Sequence, residues 1–190
     1  DNQKGIEIND YLQTSNPNIY AAGDVCSKYK FTHTADFAAR IVARNALFPF
    51  LPKQKFSDLV IPWCTYTDPE IAHVGAYERD LISDGIAYET VIVPFDEVDR
   101  AVVDSEPDGF VKVHVNAKKG IIMGATIVAR HAGEMISEIT LAMVNQIKLG
   151  KISSVIHPYP TQAEAIRKVA DFYNRKKLTP GRKKILEWVL

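Results

Sequence analysis

The sequence predicts an α+β fold: an antiparallel sheet with its helices on one side, preceded by the end of a separate α/β domain. Three observations predict it. Phe110–Val115 alternates strictly, Phe110, Lys112 and His114 against Val111, Val113 and Val115, and Asn116-Ala117-Lys118-Lys119-Gly120 offers a hairpin turn into a further apolar run. Two later stretches carry apolar residues at a helical period. Near the other end, a small-residue helical run is stopped by Pro49 and Pro52.

In chain order, residues 5–8 and 18–22 read as short strands, parted by Asn9-Asp10 and the turn-forming Thr14-Ser15-Asn16-Pro17-Asn18. Thr34–Phe48 follows as a helix so apolar, through Ala35, Ala38, Ala39, Val42 and Ala46, that burial all round is expected. Pro49–Asp58, with two prolines and three charges, marks the domain boundary, giving 1–52 as the end of the first domain, 59–178 as the second and 179–190 as a tail. Leu59–Tyr66, Tyr88–Phe95, Phe110–Val115 and Ile121–Ala129 read as strands. A helix over about Gly133–Leu149 sets Ile136, Ile139, Met143 and Ile147 on one face and ends at Gly150. Another, over about Gln162–Arg175, carries Ile166, Val169, Ala170 and Tyr173 as its stripe. From Lys176 to Leu190 a basic stretch precedes Trp188, Val189 and Leu190, and a short amphipathic helix docked on its own domain is preferred there over membrane-surface attachment.

Composition narrows the function classes. With 46% hydrophobic and 24% charged residues and no apolar run near the roughly 20 residues of a bilayer span, the 190-residue chain reads as a soluble protein. Its 23 basic and 23 acidic side chains cancel, so no long-range field draws in nucleic acid or an anionic membrane. Cys26 and Cys64 lie far apart without CxxC spacing, and the five histidines show no ligand pairing, so neither a metal site nor a disulfide framework is expected. That sparing use of cysteine fits a reducing, cytoplasmic setting. The chain opens on Asp1, without the blocks of a signal peptide and inside what reads as a strand-turn-strand element; it is expected to be a C-terminal piece of a longer protein.

Chemistry concentrates in two places. In Ile19-Tyr20-Ala21-Ala22-Gly23-Asp24-Val25 a small-residue strand end runs into Gly-Asp, which lets backbone approach a ligand closely and puts a carboxylate where hydroxyls can donate to it. The helix beginning near Thr32-His33-Thr34-Ala35 then offers free N–H groups and the positive end of a dipole to an anion. Cys26, with no base or second cysteine nearby in sequence, reads as a buried small residue. The second place is His157-Pro158-Tyr159-Pro160-Thr161-Gln162-Ala163-Glu164, where Thr161 and Glu164 have the spacing of a capping box.

The stretch Thr14–Val25 resembles the second FAD motif of the pyridine nucleotide-disulfide oxidoreductase family. The resemblance runs on through Ile61-Pro62-Trp63-Cys64-Thr65-Tyr66-Thr67-Asp68-Pro69-Glu70-Ile71-Ala72-His73-Val74-Gly75, Gly109-Phe110-Val111-Lys112-Val113, Ile122-Met123-Gly124-Ala125-Thr126-Ile127-Val128 and Ala132-Gly133-Glu134-Met135-Ile136, which look like the family's dimerisation domain. Tyr29–Asp36 and His157–Glu164 are similar to its mercuric-reductase-like branch, although no cysteine follows Cys64 where true mercuric reductases end in a cysteine pair. The resemblance implies that the first 52 residues close an FAD-binding domain. Asp24 would bind the flavin's ribityl chain, Gly23 would let the backbone close in, and Thr34 and Ala35 would lie at its pyrimidine edge with His33 as a wall. It further implies an FAD-dependent NAD(P)H oxidoreductase acting as a homodimer on a small-molecule oxidant. The chain holds neither a GxGxxG nor the CxxxxC redox pair, so alone it is expected to be inactive and to bind FAD weakly or not at all.

In most of the family the acid/base loop reads His-Pro-Thr-x-x-Glu. Anchoring on Pro160-Thr161-Gln162-Ala163-Glu164 keeps that spacing and puts Tyr159 at the histidine position, as in true mercuric reductases; anchoring on His157 leaves Glu164 seven residues away. The capping-box spacing favours the first register, with Tyr159 as the acid/base group, Glu164 as its partner and His157 as the rival. Two other readings stand beside this one: a dihydrolipoyl- or glutathione-type disulfide reductase, and a stand-alone dimerisation module with no enzymatic role. Glu70, Glu134 and Glu138 read as helix-end or interface carboxylates.

Overall fold

The computed structural model describes residues 5–178. By internal contacts the chain divides into two compact units, Asp1–Ile61 and Pro62–Leu190. The tail expected to form an amphipathic helix lies, from residue 179 on, outside the described residues.

In the first unit the single long element is helix α1 (Thr32–Leu47). Its buried positions are Thr34, Ala38, Ile41 and Asn45, a helical stripe that packs with Leu12, Ile8, Ala22, Phe56 and Leu59. Burial all round, expected from its alanines, does not occur. Phe37 and Leu47 remain 54% and 70% exposed, because this unit has one core and covers one face. Nor do residues 5–8 and 18–22 form regular strands. They keep scattered bonds, Ile6 N–H to the Val25 carbonyl at 2.7 Å and a Gln13–Tyr20 bridge, without the run of successive pairs that makes a ladder. The Pro-rich segment is tied to α1 by Asn45, whose amide donates to the Gln54 carbonyl and accepts from the Gln54 N–H, both at 2.9 Å.

The second unit is a five-stranded antiparallel sheet in the order β1-β2-β5-β4-β3, where β1 is Pro62–Thr65, β2 Glu70–Gly75, β3 Tyr88–Pro94, β4 Phe110–Asn116 and β5 Ile122–Ala129. Short helices α2 (Glu78–Ser83) and α3 (Asp99–Val103) flank β3 in sequence, and α4 (Ala132–Val144), α5 (Leu149–Ile152) and α6 (Glu164–Lys176) follow β5. Register places two apolar rows across the sheet, Ala72-Ile127-Val111-Val93 and Val74-Ala125-Val113-Val91, all at most 2% exposed. Burying each such valine or isoleucine contributes roughly 1.5–3 kcal/mol, enough to fix which way every strand faces. Helix α4 lies against β1, β2 and β5, and α6 against β3 and β4, with the stripes Met135, Ile136, Ile139 and Ala142, and Ile166, Val169, Ala170 and Tyr173, buried. The β4–β5 turn forms as expected. The Asn116 carboxamide oxygen accepts from Lys118 and Lys119 N–H at 3.1 and 2.9 Å.

Two helix ends differ from the expectation. Helix α4 stops at Val144, six residues before Gly150, where Gln146 enters the left-handed region at φ 52° and the Ile147 N–H returns to the Ala142 carbonyl. Gly150 instead lets α5 meet α6, since a Cβ there would lie 2.4 Å from the Asn174 side-chain oxygen. Helix α6 begins at Glu164, and the capping box read from Thr161 and Glu164 is not formed. The Thr161 hydroxyl donates to the Pro158 carbonyl at 2.8 Å, Glu164 is held by Arg167, and a tight turn of i to i+3 backbone bonds starts the helix in place of a side-chain cap.

The face opposite the apolar rows carries two buried histidines. His73 Nε2 donates to the Gly75 carbonyl at 3.0 Å, so Nδ1 accepts from the Thr126 hydroxyl at 2.9 Å, and the ring stacks on Tyr77 at 3.7 Å. His114 Nδ1 meets the Thr90 hydroxyl at 2.9 Å. Burial holds both imidazoles below their ordinary pKa; Glu78 and Asp80 oppose that shift while Lys112 and Arg79 add to it. A histidine with a depressed folded pKa binds fewer protons folded than unfolded. The stability it contributes is therefore complete above the unfolded pKa of about 6.5 and declines as pH falls from there toward the folded value, by at most about 1.4 kcal/mol per pH unit for each ring. The melting temperature is expected to be lower at pH 5.5 than at pH 7.5, and the gap to shrink when His73 and His114 are both replaced by Gln. An unchanged gap in that double variant would assign the acid sensitivity to other groups.

Candidate functional site

Two groups of residues singled out from the sequence occupy separate units. In the first, Gly23 sits at φ 82°, where its carbonyl accepts from the N–H groups of Cys26 and Ser27 at 3.1 and 3.0 Å and closes a tight turn. A Cβ on Gly23 would lie 3.2 Å from the Cβ of Ala35, so glycine there lets the Gly-Asp turn settle onto the first turn of α1. Asp24 beside it is exposed. The start of α1 has no side-chain cap at Phe31 and no acidic residue in its first turn, which leaves its outermost N–H groups directed outward. Within that turn Thr34 is 2% exposed and its hydroxyl has no hydrogen-bond partner among the described residues. His33 is exposed and stacks on Phe31 with centroids 5.4 Å apart. Gly23, Asp24, His33, Thr34 and Ala35 thus come together: a glycine turn, a carboxylate, an uncapped helix start and an orphan hydroxyl suit a polar ligand rich in hydroxyl and carbonyl groups.

Cys26 lines a cleft of about 430 Å³ in the same unit with Ile8, Asp10, Tyr29 and Phe56, and burial raises its pKa. Cys64, pushed up to about 11 by burial and by the Glu70 and Glu134 carboxylates, stays a thiol at neutral pH. Glu70 is a helix-end carboxylate: it accepts the Gly133 N–H at 2.9 Å, one of the free donors at the start of α4.

In the second unit, the loop between α5 and α6 separates the two rival acid/base residues. The His157 side chain is only 6% exposed; Nε2 contacts the Glu138 carboxylate and Nδ1 the Val155 carbonyl, each at 3.1 Å. Tyr159 points the other way and is 70% exposed, its hydroxyl donating to Asp99 Oδ2 at 2.9 Å. The hydrogen bond and the negative charge of Asp99 both raise the phenol pKa above its ordinary value, which keeps the proton in place at neutral pH. Glu164 does not bond Tyr159. Arg167 holds it at 2.5 Å and reaches Asp171 at 2.6 Å. Asp99 was not among the residues singled out from the sequence. It stands 60 residues from Tyr159, on a helix of five residues, and no local pattern joins them.

Among the described residues there is no group of His, Cys, Asp or Glu suited to a metal ion, and no helix is long and apolar enough to cross a membrane.

Comparison with known proteins gives this arrangement a setting. The family profile described as pyridine nucleotide-disulphide oxidoreductase, dimerisation domain, matches residues 61–170, and the one described as pyridine nucleotide-disulphide oxidoreductase matches residues 1–39. A mercuric reductase of Staphylococcus aureus is 40% identical over 87% of the chain and 30% of its own length, and a dihydrolipoyl dehydrogenase of Mycoplasma genitalium 36% identical over 89% of the chain and 37% of its own. Among solved structures, LpdA of Mycobacterium tuberculosis superposes with a TM-score of 0.82 at 25% identity, covering 89% of this chain and 36% of that one. The chain thus spans about a third of the length of the relatives it matches. With a match over more than half its length, the chain belongs to the pyridine nucleotide-disulphide oxidoreductase family and carries that family's dimerisation domain.

Proposed function

We propose that the chain is the dimerising C-terminal part of an FAD-dependent NAD(P)H oxidoreductase, in which each active site is completed by Tyr159 from the partner subunit. The observation that carries this reading is the division within one loop: His157 turned inward onto Glu138, and Tyr159 turned outward with its proton held by Asp99. A phenol of raised pKa stays protonated at neutral pH, so Tyr159 supplies a proton where the oxidant takes one up on reduction, as a disulfide or a quinone does; mercuric ion, reduced to the metal, takes up none and would meet the phenol oxygen as a ligand. The flavin, when bound, supplies the two-electron exchange between NAD(P)H and that oxidant. Gly23, Asp24, His33, Thr34 and Ala35 fit its polar edge. Asp24 accepts hydrogen bonds from hydroxyls, the Thr34 hydroxyl, without a hydrogen-bond partner among the described residues, gains one, and the N–H groups at the start of α1 stabilise negative charge. Two free, separated thiols support a cytoplasmic setting.

The mercuric-reductase-like assignment is preferred to the dihydrolipoyl type because the loop offers a phenol where that type is expected to present an imidazole. Assaying the full-length protein with NAD(P)H against mercuric ion, small disulfides and quinones tests it. Turnover with dihydrolipoyl-type disulfides alone would transfer the assignment to the rival, and no turnover with bound FAD would favour the non-enzymatic module.

Dimerisation is testable on the chain itself. Leu141 and Val144 on α4 are 62% and 59% exposed and Ile156 is 94% exposed, an apolar surface that supports a buried two-fold interface. Sedimentation is expected to give a dimer at micromolar concentration; a monomer unaffected by dilution or concentration would count against it.

A further inference from the structure

We propose that Asp99 is the positioning residue for Tyr159, taking the orienting part that the loop glutamate has by sequence position. The inference rests on the reading of Tyr159 given above and deepens it. Two carboxylates could serve the phenol. Glu164, five residues along the same loop, is drawn away by Arg167, and its second oxygen is buried without a hydrogen-bond partner among the described residues. Asp99 receives the Tyr159 hydroxyl directly, at 2.9 Å.

Asp99 is also well mounted for the task. It is the first residue of α3, after a 3₁₀ turn over Phe95–Glu97, and it stands between Val98 and the helix anchor Ala101, both fully buried. Phe95, 1% exposed, pins the turn from below, and its N–H donates to the Gly109 carbonyl at 3.1 Å. The Lys168 ammonium of α6 donates to the Glu97 carbonyl and ties this elbow to the helix that follows the Tyr159 loop. An exposed phenol on a loop would otherwise sample several rotamers. A charged acceptor on an elbow anchored by the buried Phe95, Val98 and Ala101 selects one of them. The nearby cations are already engaged, Arg100 with Asp104 at 2.8 Å and Arg167 with Glu164 and Asp171, so Asp99 and Glu164 are the charges acting on the phenol. Both favour its protonated form.

The test separates positioning from chemistry. In the 190-residue chain labelled with [¹³Cζ]tyrosine, the Tyr159 resonance is assigned by its loss in Tyr159→Phe and titrated with pH, with circular dichroism confirming that each variant is folded. Asp99→Asn, which keeps the shape and removes the charge, is expected to lower the Tyr159 pKa toward the ordinary tyrosine value, and Asp99→Glu to restore part of the shift. In the full-length protein, Asp99→Asn is expected to lower kcat about tenfold with KM little changed, and to move the alkaline limb of the pH profile to lower pH. A Tyr159 titration identical in wild type and Asp99→Asn overturns the proposal. A titration that moves while Tyr159→Phe leaves turnover intact overturns the acid/base reading, and the catalytic purpose of the contact with it.

Discussion

Tyr159→Phe in the full-length protein is expected to lower kcat about 100-fold, within the range that general acid–base groups contribute. The substitution keeps the ring and removes only the oxygen that donates to Asp99 at 2.9 Å, so the loop should keep its place. His157→Ala should act differently. It removes a ring whose side chain is largely buried and whose nitrogens contact the Glu138 carboxylate and the Val155 carbonyl, so lost packing and a lost hydrogen bond should cost about 1–3 kcal/mol in stability. Turnover per folded enzyme should fall much less. Glu164→Ala should likewise act through stability, because its partner is Arg167 on its own helix. Steady-state kinetics normalised to flavin content, set beside thermal melts of all three variants, separates the two kinds of effect. If His157→Ala abolishes turnover in a folded enzyme while Tyr159→Phe is silent, histidine is the acid/base group and the register chosen for the loop is wrong.

That contrast shows what could and could not be read from the sequence. The alternation in Phe110–Val115 gave β4 its faces, and the turn residues Asn116–Gly120 gave the hairpin, because both signals are local and the same residues make the contacts. Strand β2 escaped notice as a strand for a physical reason: at Glu70–Gly75 the buried positions include His73, a polar residue whose hydrogen bonds are met only by Thr126 on another strand and by the Gly75 carbonyl. Helices α2 and α3, six and five residues long, are too short to show a period. At the loop, Thr161 and Glu164 had the right spacing for a capping box, yet Pro158 and Arg167 offered closer partners. The choice between His157 and Tyr159 could be posed from spacing, but which of them faces outward depends on Glu138 and Asp99, from α4 and α3. Residues far apart in sequence decide it.

The largest effect on stability is expected at a glycine with ordinary extended backbone. Gly124 lies within β5, opposite Gly75 of β2, where the chain leaves the sheet and crosses over it; the Ala76 N–H donates to the Met123 carbonyl at 2.9 Å. A Cβ on Gly124 would stand 2.0 Å from the Ala76 carbonyl oxygen and 2.8 Å from its nitrogen. Both are backbone atoms held in register, so no side chain can swing away to make room. Relief requires moving the crossing strand, which disturbs the Tyr77 ring stacked on His73 and the start of α2 behind it. Gly124→Ala is therefore expected to cost about 3 kcal/mol, the upper part of the usual range for overpacking. In a domain of this size that lowers the melting temperature by roughly 10–20 °C. Gly85→Ala provides the comparison. Gly85 has φ 64° and nothing within 4 Å of its would-be Cβ, so it should show backbone strain alone, about 1 kcal/mol. Thermal melts of the two variants followed by circular dichroism measure both. Should Gly124→Ala melt no lower than Gly85→Ala, the Gly75–Ala76 crossing can yield, and the close approach of β2 to β5 is not what holds this part of the sheet.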